Sequence, residues 1–179
     1  MNIEDILSQA RKAFFAYRNG TVADALRRGG DPHPVIMGCQ LTDVATIARG
    51  LEPDAALAQA FWNERNHREC RMIAPMLYPT GTMTMGTAMA WALNVENDEI
   101  ADILCHRLLR QASYAQAMVS ELLSYSKPQV RYTAFRLLLN ILLIGNCDRN
   151  ANLRPIVECE LETAPANLKP LLNSILEEQ

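Results

Sequence analysis

Apolar side chains recur along this chain at intervals of three and four residues, and no stretch alternates apolar and polar residues over more than four positions. That period suits helices and leaves no material for a sheet. Residues 3–19 show it plainly: Ile3, Ile6, Leu7, Ala10, Phe14 and Tyr17 share one helical face, and Asn19-Gly20 closes it. Residues 22–28 predict a short second helix stopped by Gly29-Gly30. Asp31-Pro-His-Pro34 is a loop, because each proline drives its predecessor out of the helical region. Leu41-Thr-Asp43 caps a helix through Arg49, and Glu52-Pro-Asp54 caps another through Trp62. Further helices are predicted over 66–77, 84–94, 98–111, 113–124, 128–144, 151–162 and 166–177.

Helices of this length joined by short turns fit either a compact bundle or a stack of antiparallel helical pairs. The starts near 54, 66, 84, 98, 113 and 128 advance in steps of 12 to 18 residues, so a pair takes about 30, and the regularity favours the stack. The helix from Pro128 turns apolar all round over 137–144, which predicts neighbours on both its sides. At 179 residues the chain fits one domain, 1–179.

Composition removes several function classes. No apolar run approaches the roughly 18 residues of a membrane span. The acidic start Met1-Asn2-Ile3-Glu4-Asp5 does not read as a secretion signal. Five cysteines without a CxxC pair argue against a disulfide framework or a zinc ribbon and for a cytoplasmic protein. His33, His67 and His106 lack a second ligand at zinc spacing, so no metal is expected, and no phosphate-loop or other cofactor motif occurs.

The net charge of −3 hides a pattern. Residues 1–94 are neutral, 95–102 carry −4, 103–157 carry +5, and the tail from Glu158 carries −4. Arginine supplies 14 of the 17 basic residues, and its planar fork suits phosphate.

Four segments carry a resemblance. Leu57-Ala-Gln-Ala-Phe-Trp62, followed by His67-Arg-Glu-Cys-Arg71 and Ala74, looks like the LAxxLW…HExRxLA pattern of the DNA alkylation repair family. Gly38-Cys-Gln-Leu-Thr-Asp-Val-Ala-Thr-Ile-Ala48 is similar to that family's GVxxPxLRxIA segment. Asn97-Asp-Glu-Ile-Ala-Asp102 falls where the family has NWDxxD, and Val130-Arg131 resembles its VRR helix start. The resemblance implies an all-α fold of HEAT-like helical-pair repeats stacked into a curved α-α superhelix. It also implies a concave surface for damaged duplex DNA and excision of alkylated purines.

In that chemistry a fixed carboxylate stabilises an oxocarbenium-like sugar, and the resemblance assigns the role to Asp102. The family's first tryptophan falls on Asp98, and no tryptophan follows Trp91. The expectation is therefore a DNA-binding relative with weak or absent excision. Arg107, Arg110, Arg131 and Arg136 are the candidates for phosphate contacts. A plainer reading stands beside it, in which Glu99, Asp102, His106 and Arg110 form a solvated ladder along one helix. Arg107 falls inside the apolar arc of that helix, where its stem could pack. A non-catalytic adaptor for a protein partner is the alternative function.

Overall fold

The computed structural model describes residues 2–148 and 153–178. Regular structure among them is helical, apart from one parallel bridge between Val35 and His67. The helices are α1 (Ile3–Ala16), α2 (Gly20–Arg28), α3 (Leu41–Arg49), α4 (Ala55–Asn63), α5 (Arg68–Leu77), α6 (Met85–Ala92), α7 (Asp98–Arg107), α8 (Ala115–Leu122), α9 (Pro128–Leu143), α10 (Arg154–Thr163) and α11 (Lys169–Glu178). Residues 149–152, with the start of the helix expected over 151–162, lie outside the described residues. No described helix is long and apolar enough to cross a membrane.

The chain divides into two compact units, residues 1–83 and 84–179. In the first, Leu7, Phe14, Val44, Phe61 and Ile73 form an apolar core. Charge is buried with them. The Asp31-Pro-His-Pro loop runs beside the start of α5, with Val35 N–H donating to the Asn66 carbonyl (2.8 Å) and Arg68 N–H to the Val35 carbonyl (3.0 Å). This brings the segments similar to GVxxPxLRxIA and HExRxLA together. The Glu69 carboxylate is fully buried, and its Oε1 accepts from Gly38 N–H (3.0 Å), Met37 N–H (3.2 Å) and Arg68 Nη1 (2.9 Å). His67 Nδ1 lies 3.4 Å from Oε2. Burial pushes this carboxyl up, but His67, the Met37 amide and the Arg68 charge outweigh it and hold it at about 2.

Arg71 is also buried. It lays its guanidinium 3.4 Å from the centre of the Trp62 ring and donates to the Trp62 carbonyl, so that arginine bonds α5 to the end of α4. Burial raises the Cys39 and Cys70 thiols to about 12, which leaves neither as a nucleophile near neutral pH.

In the second unit α9 packs against α7, α8 and α11. It starts with Pro128 at its first turn, where the missing N–H costs nothing. Phe135, Leu137, Leu138, Asn140, Ile141 and Leu142 are buried, as the all-round apolar stretch predicts. Leu143 and Ile144 are the exceptions, at 57% and 42% exposure. In the final turn, which Gly145 ends at φ +69°, only the side bearing Ile141 and Leu142 still meets a neighbour.

The helix expected over 98–111 is shorter. It leaves α geometry at Leu108 (φ −124°, ψ −57°), and Leu109–Gln111 form a 3-10 turn. Asn146 holds the turn that follows, its Nδ2 donating to the carbonyls of Arg110 (2.7 Å) and Ala112 (3.2 Å).

Candidate nucleic-acid interface

The charged face of the second unit is built by α7 and α9. Asn97 caps α7 by accepting from Ile100 N–H at 3.0 Å, which sets Asp98 and Glu99 in the first turn and Asp102 one turn further. On α9 the i, i+4, i+8 spacing of Tyr132, Arg136 and Asn140 lines three polar groups along one side. The two sets meet at Asp102. Its Oδ1 accepts from Arg136 Nε (2.6 Å) and from the Tyr132 hydroxyl (2.9 Å), while Oδ2 accepts from Arg136 Nη2 (2.7 Å). This is a two-point charge-assisted pair, about one-third exposed on each side chain. The hydrogen bonds from Arg136 to Asp102 raise the arginine further, and burial followed by the Asp102 charge raises the Tyr132 phenol, so Tyr132 stays a donor.

Asp98, at the position of the expected aromatic, accepts from Gln129 Nε2 (2.8 Å) and from Asn167 Nδ2 (2.9 Å). A polar network stands there in place of a ring face. Arg131 is engaged as fully. It donates from Nε to Glu160 Oε1 (3.0 Å), from Nη2 to Glu160 Oε2, and from Nη1 to the Leu123 carbonyl (2.9 Å). Five residues separate it from Arg136, a rotation of about 140° around the helix, so the two point to different sides of α9. Arg107 is exposed, and Arg110 donates from Nη1 to His106 Nδ1 (3.3 Å).

The four candidate arginines therefore divide. Arg107, Arg110 and Arg136 all act on His106 at the end of α7, whereas Arg131 is held by Glu160. The solvated ladder needs correction on two points. Arg110 belongs to the 3-10 turn rather than to α7, and Asp102 bonds across to α9. Arg107 lies on the side of α7 that bears Ile100 and Leu104, but it is the last residue of the helix and its side chain is exposed rather than packed. Tyr132, Gln129 and Glu160 were not legible as partners from the sequence, although the 132, 136, 140 spacing marks a polar line on a mostly buried helix.

A family model described as "DNA alkylation repair enzyme" matches residues 10–143. The chain belongs to the DNA alkylation repair family. Among solved structures, this family member resembles one described as "a new family of proteins related to the HEAT-like repeat DNA glycosylases with affinity for branched DNA structures". The TM-score is 0.79 at 15% identity, over 99% of this chain and 75% of the other. That likeness shows the fold, HEAT-like helical repeats, as the helix spacing predicts. No curated protein matches the chain significantly.

Proposed function

We propose that this member of the DNA alkylation repair family binds duplex DNA through the cationic end of α7 and α9, and that it excises alkylated purines weakly or not at all. The observation that carries the reading is the environment of Asp102. A carboxylate that stabilises an oxocarbenium must face the sugar with its charge uncompensated and water excluded. Asp102 instead spends both oxygens on Arg136 and Tyr132. One turn before it, Asp98 adds a second carboxylate where a ring would wall the site. That charge repels every phosphate, whereas any attraction to a cationic lesion acts only at rare sites.

Support for a DNA ligand comes from family membership and from Arg107 and Arg110, which no carboxylate neutralises among the described residues. The solved relative's affinity for branched DNA points the same way. The adaptor alternative draws on the Arg131–Glu160 pair, which withdraws one arginine from phosphate.

Two measurements test the proposal. Binding to a short duplex should weaken steeply with salt. Each of Arg107→Ala and Arg110→Ala should flatten the plot of log affinity against log salt by about one. No binding even at low ionic strength would leave the adaptor. Release of 7-methylguanine from methylated DNA should not exceed that of the Asp102→Asn variant. Robust release that Asp102→Asn abolishes would refute the weak-excision reading.

A further inference from the structure

His106 sits among cations. It is the penultimate residue of α7, with Arg107 beside it. From the 3-10 turn, Arg110 Nη1 donates to its Nδ1 at 3.3 Å. From α9, Arg136 bears on the ring electrostatically and Asn140 hydrogen-bonds it. The acid of the group is Asp102, one turn earlier on α7, and it is committed to Arg136 and Tyr132. Three guanidinium groups thus act on one imidazole with a single carboxylate among them. Arg110 is the least satisfied of the three. Its Nε is enclosed without an acceptor, and its contact with a neutral ring does not balance its charge.

An imidazole that accepts a hydrogen bond at Nδ1 carries its proton on Nε2. A second proton cannot enter at Nδ1 while Arg110 donates there. Burial first, then Arg110, and also Arg107 and Arg136, push His106 below its ordinary value, and the Asn140 hydrogen bond opposes them. Uncompensated guanidinium charge and a ring kept neutral by it are both relieved by an anion.

We propose that His106, Arg107, Arg110 and Arg136 form a seat for a single phosphate group, and that seating the phosphate brings a proton onto His106. The inference rests on the DNA-binding reading only for the source of that phosphate, the DNA backbone. A phosphate takes donors from Arg107 and Arg110 through their planar forks. Drawing Arg110 Nη1 onto a phosphate oxygen frees His106 Nδ1, and the added negative charge then favours the imidazolium. The bound state holds one more proton than the free state, so affinity rises as pH falls through the titration of the ring.

The chain has three histidines, and His33 and His67 are buried at 4% and 7% exposure, so the exposed His106 is a distinct probe. Histidine Cε1–Hε1 signals of the full chain are followed against pH in chloride, then at matched ionic strength with inorganic phosphate, then with a short duplex. The titration midpoint of His106 is expected to rise by about one pH unit or more with phosphate. Arg110→Gln should raise the midpoint in chloride and remove the further rise.

A midpoint that phosphate and duplex both leave unmoved overturns the seat, and so does an equal rise with chloride alone. A rise with phosphate but not with a duplex keeps the seat and assigns it to free phosphate. A duplex that binds while neither it nor phosphate moves His106 refutes this inference and leaves DNA binding standing. A duplex that does not bind refutes DNA binding, and the phosphate arm still decides the seat.

Discussion

Glu69→Ala is expected to cost about 3–5 kcal/mol of stability, the range for breaking a buried ion pair by removing one partner. Its carboxylate is fully buried, and the substitution would take from Arg68, itself 3% exposed, the carboxylate it pairs with, and from the amides of Met37 and Gly38 their acceptor. Urea unfolding followed by circular dichroism reads the loss as a lower midpoint. Glu69→Gln keeps the shape and one acceptor oxygen, and should lose less.

The pH dependence has a definite sign. The folded carboxyl lies at about 2, below the ordinary glutamate value of about 4.3. Its contribution is therefore complete above that ordinary value and disappears as the pH falls towards about 2. The gap in urea midpoint between the native protein and Glu69→Gln should narrow across that window. A gap that stays constant down to pH about 2 would show that Glu69 ionisation contributes nothing to folding.

Gly38→Ala is the second large expected loss, about 3 kcal/mol from two sources that add. Gly38 has φ +79°, a left-handed conformation that L side chains resist. A Cβ there would also stand 2.2 Å from the Asn19 carbonyl oxygen and 2.8 Å from the Ala23 nitrogen. Both are backbone atoms at the start of α2, held by the Ala23 N–H bond to Asn19 (2.9 Å) and by Asn19 N–H to the Met37 carbonyl (2.9 Å), so neither yields cheaply. The same variant also displaces the amide that Glu69 accepts, which couples the two sites. A double variant with Glu69→Ala should therefore cost less than the two single losses combined. Strict additivity would contradict the shared network.

These two predictions concern the segments that most resemble the family, and both are about folding. Gly38, His67, Arg68, Glu69 and Arg71 hold the loop of residues 31–40 and α4 onto α5. Their pattern in the sequence marks a buried polar network that few arrangements satisfy. It is diagnostic of the fold and says little about the proposed DNA contacts, which involve α7 and α9. There the resemblance is thinner, with Asp102 kept and an aspartate at the position of the first tryptophan.

The positions of the helices were legible because helix formation is local. The apolar period, the caps at Asp54 and Asn97, and the stop at Gly29-Gly30 all act within a turn or two. Asn19-Gly20, expected to close the first helix, instead opens α2 after α1 has ended at Ala16. The burial of residues 137–142 was legible for the same reason, since a helix apolar on every side must be surrounded. Where local signals compete with distant ones, the reading failed. The segment after α7 is a 3-10 turn whose Arg110 carbonyl accepts from Asn146, 36 residues further on, a contact that no local pattern announces.

The site shows the same division more sharply. The sequence by itself determined that Asp102 and His106 lie on one side of α7, because four-residue spacing places them so on any helix. Only the tertiary structure decided that Asp102 turns to Arg136, 34 residues away, and that Arg131 turns to Glu160, 29 residues away. Helical periodicity fixes neighbours within a helix, whereas a pair between helices depends on the register in which their buried faces pack. Here α9 is packed between α7, α8 and α11, and that packing sets how far it slides along α7. The carboxylate then meets whichever cation that register brings opposite it.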